Sequence, residues 1–348
     1  MGPQGTLYGS SSTSGNIKII TKKPDTSSLD YGFDVEYGSL KEGAIDSSLE
    51  AFVNIPIGSN MAARLSAYNV QDGGWIDNQK ASFTYQNGGI NYTINNFTDP
   101  YDVAENDYND STKEGARLRL AGEFDNFDLD ISFLTQDSIV NGSYETDILN
   151  DLQTAEQSRR TNTRFAPEVY KDNFDQMSIS LSGSITDDID VVLTSSIFER
   201  DTEYTYDYSS YVEYYSYAAY SYYVCNYYEY YGYYYIDIND CRDPRMTYAQ
   251  SNDIERTATE IRVSSDNDSG FNWVLGAFQE TNEKVTDVDY LQPGGSYYTS
   301  GLSGTWWEAD LDRKGEIQAI FGEAYIDINE KTQLTVGFRN YDQDMDLT

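Results

Sequence analysis

The chain has 348 residues, of which 23 are basic and 58 acidic, giving a formal net charge of −35, and it contains no histidine. Such an acidic chain cannot neutralise a phosphate backbone in bulk, so nucleic acid is disfavoured as a partner. The missing histidine removes the commonest metal ligand and the usual proton carrier near neutral pH. Zinc hydrolases and enzymes with a histidine base are therefore disfavoured, and no catalytic or metal-binding residue is predicted.

The chain opens with a glycine- and serine-rich stretch, and residues 2–25 read GPQGTLYGSSSTSGNIKIITKKPD. Clustered glycines permit tight turns and close approach of the backbone to neighbouring groups. A short alternating strand follows, and Pro24 is expected to end it. No basic and apolar leader precedes this stretch, so the chain is either cytosolic or a piece of a longer protein.

Beyond this stretch the dominant pattern is strict alternation of apolar and polar side chains, which is typical of β-strands. Eleven strands are predicted, near residues 31–37, 49–57, 63–68, 116–123, 127–133, 176–182, 189–200, 259–264, 271–280, 316–328 and 333–339. The polar face carries full charges in mid-strand, including Arg117 and Arg119. These two arginines are expected to be ordinary charges lining a barrel interior, and a contact with carboxylates of an enclosed domain is the alternative.

Apart from the short link at 39–46, the connections between the strands alternate between very short and very long. The short ones are 58–60, 125–126, 186–188, 266–270 and 329–331, and the long ones are roughly 71–114, 137–174, 201–254 and 281–315. Short turns at one end and long loops at the other are typical of an outer-membrane barrel. An all-β fold is therefore predicted, an antiparallel transmembrane β-barrel. Because such barrels close with an even number of strands, we expect the chain to be truncated at both ends.

One long loop has an unusual composition, because 17 of the 32 residues from Tyr204 to Tyr235 are tyrosine. Tyrosine rings can stack on flat or sugar-like ligands, and their hydroxyls can form hydrogen bonds. A low-complexity loop that packs on itself or on lipopolysaccharide is the alternative. The pair Trp306-Trp307 is either an interfacial anchor or a second ligand contact. The candidate ligand contacts are Tyr206, Tyr208, Tyr211, Tyr214, Tyr215, Trp306 and Trp307.

The opening stretch resembles the end of the plug domain of TonB-dependent outer-membrane receptors. The residues that match the plug motif are Gly2, Pro3, Gly5, Leu7, Tyr8, Gly9 and Gly15, followed by Ile17, Ile19, Thr21 and Pro24. The position of the family's leading arginine is occupied by Met1 here or lies before the first residue of the chain. Several later segments, such as Phe321-Gly322-Glu323-Ala324-Tyr325, also look like barrel strands of this family.

The resemblance implies two regions, the C-terminal end of a plug at 1–25 and the N-terminal half of a 22-stranded barrel at 26–348. It implies a receptor of the bacterial outer membrane, and not an enzyme, that contacts lipid and lipopolysaccharide. Its small-molecule ligand would be a ferric siderophore or other iron complex, as transported cargo and not as a permanent cofactor. Energy would come from the TonB complex, through an N-terminal region that this chain lacks.

The expected location in the outer membrane also determines which redox state is expected for the two cysteines. Loops of such a receptor mature in an oxidising compartment, so Cys225 and Cys241 are expected to form a disulfide. Closing a loop of about 16 residues would contribute about 3 kcal/mol in the chain-entropy model.

Three alternatives stay open at this point. The same fold could import carbohydrate, cobalamin or another nutrient. The chain could be a tyrosine-rich extracellular structural or adhesive β-protein. A secreted glycosidase with paired carboxylates is the third, although the separation of two carboxylates cannot be judged from sequence.

Overall fold

The computed structural model of the chain describes residues 19–87, 90–146, 160–209, 225–241, 243, 245–267, 270–292 and 304–348. Eleven strands form one sheet: β1 (Asp30–Ser39), β2 (Ile45–Ile57), β3 (Met61–Asp72), β7 (Ser111–Phe124), β8 (Phe127–Asn141), β10 (Val169–Thr186), β11 (Ile189–Asp207), β14 (Thr247–Ser265), β15 (Phe271–Leu291), β16 (Thr305–Asn329) and β17 (Thr332–Leu347). Three two-stranded sheets lie in the connections: β4 (Asp77–Asn78) with β9 (Thr161–Asn162), β5 (Ser82–Asn87) with β6 (Ile90–Asn95), and β12 (Cys225–Tyr230) with β13 (Tyr233–Cys241).

The large sheet follows chain order from β1 to β17, and every neighbouring pair in it is antiparallel. The prediction of eleven antiparallel strands is therefore confirmed. The long connections span 73–110, 142–168, 208–246 and 292–304, and all of them lie at the same end of the sheet. We call this end the long-loop end. Within the described residues, no helix has the length and apolar character needed to cross a membrane.

One face of the large sheet is apolar and exposed from edge to edge. Phe33 on β1 is 80% exposed, Ile320 on β16 is 60% exposed and Val336 on β17 is 55% exposed. The register places the same kind of side chain on this face in the strands between them: Leu49, Leu65, Leu118, Phe133, Ile179, Leu193, Ile261 and Leu275. A water-soluble sheet would bury such a band, whereas a lipid-facing sheet presents it outward.

The opposite face is polar and is held together by ion pairs. Arg119 and Asp130 form a pair with a closest approach of 2.7 Å between Nη2 and Oδ2. Arg200 binds Asp172 through two hydrogen bonds, of 2.8 and 2.6 Å. The two parallel N–H groups of a guanidinium match the two oxygens of a carboxylate, and such two-point contacts help to hold adjacent strands in register.

The strands extend further than the alternation pattern indicated. β11 runs to Asp207, β15 runs to Leu291 and β16 has 25 residues. The predicted loop bounds were therefore wrong at the long-loop end, and Tyr206, Trp306 and Trp307 belong to strands. A membrane needs only about 9–11 residues of a tilted strand, so these strands have length to spare beyond a bilayer. In the outer part of β16 the alternation is reversed: Glu308, Asp310 and Asp312 lie on the face that is apolar further along the strand, and Trp307, Ala309 and Leu311 lie on the opposite face.

Residues 19–29 run without regular structure to the start of β1 and are anchored on the polar face at two places. Arg119 donates from Nη1 to the Thr21 carbonyl oxygen at 3.0 Å and to its hydroxyl at 3.1 Å. The fully buried Asn54 accepts from the Asp25 amide at 2.8 Å and donates to the carbonyls of Asp25 and Ser28 at 2.9 and 2.8 Å. The approach to the first strand is thereby fixed by side chains of the sheet.

Candidate functional site

The long-loop end of the sheet carries a cluster of eight aromatic rings. We define the aromatic cluster as Tyr170, Tyr204, Tyr206, Tyr208, Tyr248, Tyr290, Trp306 and Trp307. These residues come from the outer ends of β10, β11, β14, β15 and β16 and from the residue after β11. Five strands therefore supply one continuous group of rings.

The register of the sheet explains why these distant residues meet. Tyr206 lies opposite Tyr248, Tyr248 lies opposite Tyr290, and Tyr290 lies opposite Trp307. Residues directly opposite in neighbouring strands share a face, so the four rings form one row across four strands. A register shift beside Tyr290 inserts Trp306 as an extra residue, and both tryptophans contact the Tyr290 ring. A β-bulge re-aims side chains in this way.

Tyr290 lies at the centre of the cluster. Its ring centroid is 5.3 Å from that of Tyr208 and 5.1 Å from that of Tyr248. The Trp306 and Trp307 rings lie 5.7 and 5.6 Å from it. All four contacts are edge-to-face, a geometry that contributes about 0.5–1.5 kcal/mol each beyond area burial. Because Trp307 stays 50% exposed, the cluster also presents ring surface on which a flat or sugar-like molecule could stack.

At the other side of the cluster, Tyr206 is tethered to the neighbouring loop. Its hydroxyl donates to Glu145 at 2.7 Å, and the guanidinium carbon of Arg164 lies 5.8 Å from its ring centroid. Arg164 also pairs with Glu145 at 2.9 Å and with Glu168 at 3.2 Å. Charged groups of loop 142–168 thus hold the ring in position.

Glu168 is the buried member of this group, with a side chain that is 2% exposed. It accepts a hydrogen bond from the Asp207 amide at 3.2 Å, and its own amide donates to the Tyr108 hydroxyl at 3.2 Å. Burial raises the pKa of Glu168 above its usual range, because the ionised form loses its hydration. Burial, together with the charge of Glu168, also raises the pKa of Tyr108.

Buried asparagines join loop 73–110 to loop 142–168 near the cluster. Asn78 accepts from the Arg164 amide at 2.8 Å, and Asn96 donates to the Arg164 carbonyl at 2.9 Å. Asn109 accepts from the amides of Trp75 and Ile76 at 2.8 and 2.7 Å. The β4 and β9 strands pair in parallel, Asp77–Asn78 against Thr161–Asn162. The described parts of loops 73–110 and 142–168 therefore form one hydrogen-bonded scaffold, which suits a rigid recognition surface.

A second feature of the polar face is a groove of about 610 Å³ near β1 to β8. Its lining includes Arg64, Tyr68, Arg117, Arg119 and Thr21. Strand register places Arg117 and Arg119 on the polar face of the sheet, the face that the alternation predicted for them. Arg119 binds the backbone and hydroxyl of Thr21 and the carboxylate of Asp130, which belongs to the sheet itself.

The structure brings together four of the seven predicted ligand contacts. Tyr206, Tyr208, Trp306 and Trp307 all belong to the aromatic cluster, whereas 210–224, with the predicted Tyr211, Tyr214 and Tyr215, lie outside the described residues. The plug-motif residues, Gly2 to Gly15, also lie outside them.

Four members of the cluster were not among the predicted contacts: Tyr204, which begins the tyrosine-rich stretch, and Tyr170, Tyr248 and Tyr290, which lie outside that stretch. The last three were missed by the sequence argument altogether. Each lies within two residues of the long-loop end of its strand and in phase with the polar face. Their location at a strand end and on the polar face could have identified them from the sequence. A single tyrosine is not conspicuous, however, in a chain that contains 33 of them.

The predicted disulfide partners are neighbours in the fold. The Cα atoms of Cys225 and Cys241 are register partners in the β12–β13 hairpin. Partners across an antiparallel pair are about 4.5–5.5 Å apart at Cα, within the range that a disulfide spans. The covalent bond itself stays a prediction. Within the described residues, no group of three or more acidic or cysteine side chains is placed to hold a metal ion.

Of the comparisons with known proteins, the one with solved structures finds similar proteins. No protein-family model and no curated protein sequence matches the chain. Among solved structures, it is similar to the ferric yersiniabactin uptake receptor FyuA from Yersinia pestis, with a TM-score of 0.66 and 13% identity over 99% of this chain and 47% of that chain. The open form of the ferric-catecholate import receptor Fiu from E. coli matches with a TM-score of 0.60 and 14% identity, over 99% and 49%.

The ferric enterobactin receptor PfeA from Pseudomonas aeruginosa, a mutant structure, matches with a TM-score of 0.53 and 15% identity, over 99% of this chain and 44% of that one. The chain thus spans about half the length of these solved structures, which are uptake and import receptors and not enzymes. At these identities the likeness concerns the fold. The chain therefore has the fold of the TonB-dependent siderophore receptors, over about half of their length.

Proposed function

We propose that the chain is part of a TonB-dependent outer-membrane receptor that takes up a ferric siderophore or another iron complex. The observation that carries the proposal is the large sheet itself, whose eleven strands have one exposed apolar face and one charged face. A sheet of this kind is suited to a bilayer, with its long connections on one side. The three similar structures are all named for ferric complexes or their import.

The aromatic cluster supports a ligand-capturing role for the long-loop end. A catecholate, the ligand class for which the similar receptor Fiu is named, carries a flat aromatic ring. Exposed edges and faces of Tyr and Trp give contact area to such a ring at low cost in conformational entropy. Loops 73–110 and 142–168, which buried asparagines join, already hold the neighbouring rings in place. Binding of such a ligand would therefore require little further ordering, and this preorganisation favours affinity. The iron complex would be cargo, with the TonB complex as the energy-supplying partner and lipid and lipopolysaccharide around the barrel.

Growth and uptake in bacteria that carry the gene test the proposal. Deleting the gene should abolish growth on iron-limited medium with one particular ferric complex and should abolish uptake of radioactive iron from it. Restoring the gene should restore both. If iron uptake from every complex tried is unchanged and uptake of an oligosaccharide or of cobalamin is lost instead, the substrate class is wrong. If the protein is recovered folded without detergent or membrane, the membrane assignment is wrong as well.

A further inference from the structure

The polar face of the sheet carries a group of four cations on the same strands as the aromatic cluster. Strand register places Lys284 directly opposite Arg313, and Arg200 lies in the same row of the sheet. Arg256 lies in the next row, on the strand between those of Arg200 and Lys284. We define the basic patch as these four residues. It lies four residues along β11 from the cluster residue Tyr204, which corresponds to about 13 Å.

Two members of the basic patch are neutralised by the described part of the chain and two are not. Arg200 and Arg256 each pair with a carboxylate of a neighbouring strand. Neither Lys284 nor Arg313 has a described carboxylate within ion-pair distance. Like charges directly opposite each other in a sheet are destabilising. The sheet therefore bears a repulsion between Lys284 and Arg313 that an anion placed between them would remove.

The charges at this height of the sheet are sorted by face. The four segments 198–202, 252–256, 282–286 and 311–315 lie side by side in register. On the polar face, these segments carry the four cations of the basic patch and no carboxylate. On the opposite face they carry one cation, Lys314, and six carboxylates: Glu199, Asp201, Asp253, Glu255, Glu283 and Asp312. In a chain with 58 acidic and 23 basic residues, this sorting gives the polar face a local positive charge.

Open space borders the unpaired cations. Gly315 lies on the polar face, two residues along the strand from Arg313. A methyl group at Gly315 would have as its nearest neighbours from other strands the backbone oxygens of Asn282 and Asp344, at 3.8 and 4.0 Å. Because Arg313 is also exposed, a small anion can approach the two cations from the polar side.

The side chains between the basic patch and the aromatic cluster are neutral and bonded to one another. Asn252 donates to the Thr202 hydroxyl at 2.8 Å and accepts from the Thr286 hydroxyl at 3.0 Å. The Gln250 amide donates to Asn252 at 3.0 Å. These groups add no negative charge, so a ligand that reaches across them would meet aromatic rings at one end and cations at the other.

We infer that the basic patch is a subsite for oxyanion groups, carboxylate or phosphate, of a ligand held at the aromatic cluster. Lys284 and Arg313 supply the two unpaired charges, and a guanidinium donates two parallel hydrogen bonds to an oxyanion. The inference rests on the proposed uptake of a small ligand. It narrows the ligand class to complexes with a net negative charge.

The test measures binding of citrate and of pyrophosphate to the full chain in detergent micelles by calorimetry, in a buffer free of divalent metal ions. At least one of the two anions should bind, and the neutral trimethyl ester of citrate should not. Replacing both Lys284→Gln and Arg313→Gln should weaken the binding about tenfold or more, because two charge-assisted contacts are lost. Tighter binding of citrate would assign the subsite to carboxylates, and tighter binding of pyrophosphate would assign it to phosphates.

The matched control replaces Lys171→Gln and Lys314→Gln together. It removes the same charge from the opposite face, where each lysine already pairs with a glutamate. Anion binding by this control should stay within about twofold of the natural chain. The Lys284 and Arg313 double variant should unfold at the natural temperature or above it, because a repulsion is removed.

Three results would overturn the inference. An equal loss of binding in both double variants would show bulk attraction only. A loss of binding in the Lys284 and Arg313 variant together with a lower unfolding temperature would show a structural role. Absence of binding that depends on this pair, in a chain whose gene still supports iron uptake, would refute the subsite and leave the proposed function standing. Conversely, pair-dependent binding without uptake of any iron complex would support the subsite and refute the proposed function.

Discussion

Replacing Asn54 by alanine tests how firmly residues 21–28 are held on the sheet. The Asn54 amide is fully buried and makes three hydrogen bonds to the backbone of Asp25 and Ser28. A net contribution of about 1 kcal/mol for each bond would total about 3 kcal/mol. Since Asp25 and Ser28 are exposed, water can replace part of what is lost, and we expect a local cost of about 2 kcal/mol.

Hydrogen exchange is the appropriate assay, because the loss is local and need not unfold the sheet. A cost of about 2 kcal/mol should speed exchange at the Asp25 amide about 30-fold in the Asn54→Ala variant, for the chain in detergent micelles. Asn54→Asp should act more strongly, because it keeps the acceptor for Asp25 but turns a carboxylate toward two carbonyl oxygens.

Asn69→Ala is the matched control, since Asn69 makes one exposed hydrogen bond, of 3.2 Å, to Glu114 on the adjacent strand. It should leave exchange at Asp25 unchanged. If Asn54→Ala leaves exchange at Asp25 at the natural rate, the three hydrogen bonds do not anchor the segment and the reasoning fails. An equal effect of both alanine variants would point to general loosening of the sheet and would refute it as well.

Four further outcomes are expected. Leu118→Arg, on the apolar face, should destabilise the chain folded in lipid vesicles by about 2–4 kcal/mol, whereas Ser178→Arg on the polar face should cost far less, as urea titration would show. Tyr290→Leu should weaken binding of the iron complex about tenfold or more and Tyr290→Phe should preserve it, since the ring is the shared contact of four others. The stability advantage of the natural chain over Glu168→Gln should decline as the pH rises above the ordinary pKa of a glutamate, because the pKa of Glu168 is raised by burial in the native state and its ionisation there costs stability. Equal pH profiles of the two chains in thermal unfolding would contradict this. Native mass spectrometry with alkylation should find no free thiol at the Cys225–Cys241 pair until a reductant is added.

The fold could be predicted in outline because alternation is a local property. Side chains two apart share a face of a strand, so the order of apolar and polar residues in segments such as 127–133 already determines which face is apolar. The lengths of the connections then placed all long loops at one end, and the opening glycine-rich motif pointed to the same class of protein. None of these inferences requires knowledge of which strands are neighbours.

The ends of the strands could not be predicted in the same way. In the outer parts of these strands, charged residues such as Glu308 and Asp310 take the face that is apolar elsewhere, so the apolar pattern on that face ends while backbone pairing continues. Ladder hydrogen bonds depend on the neighbouring strand and not on side-chain pattern. Tyr206, Trp306 and Trp307 were for that reason assigned to loops, or to the rim, when they belong to paired strands.

The sequence by itself determined the β architecture, the two chemically distinct faces and the end that carries the long loops, because each follows from the spacing of residue types along one strand. Only the tertiary structure decided which rings meet. Tyr206, Tyr248, Tyr290 and Trp307 are separated by tens of residues, and they form one row because strand register aligns them. The anchoring of Asp25 by Asn54 and the packing of two loops around buried asparagines likewise depend on side chains far apart in sequence. Contacts of that kind are determined by pairing across the sheet, which no local pattern encodes.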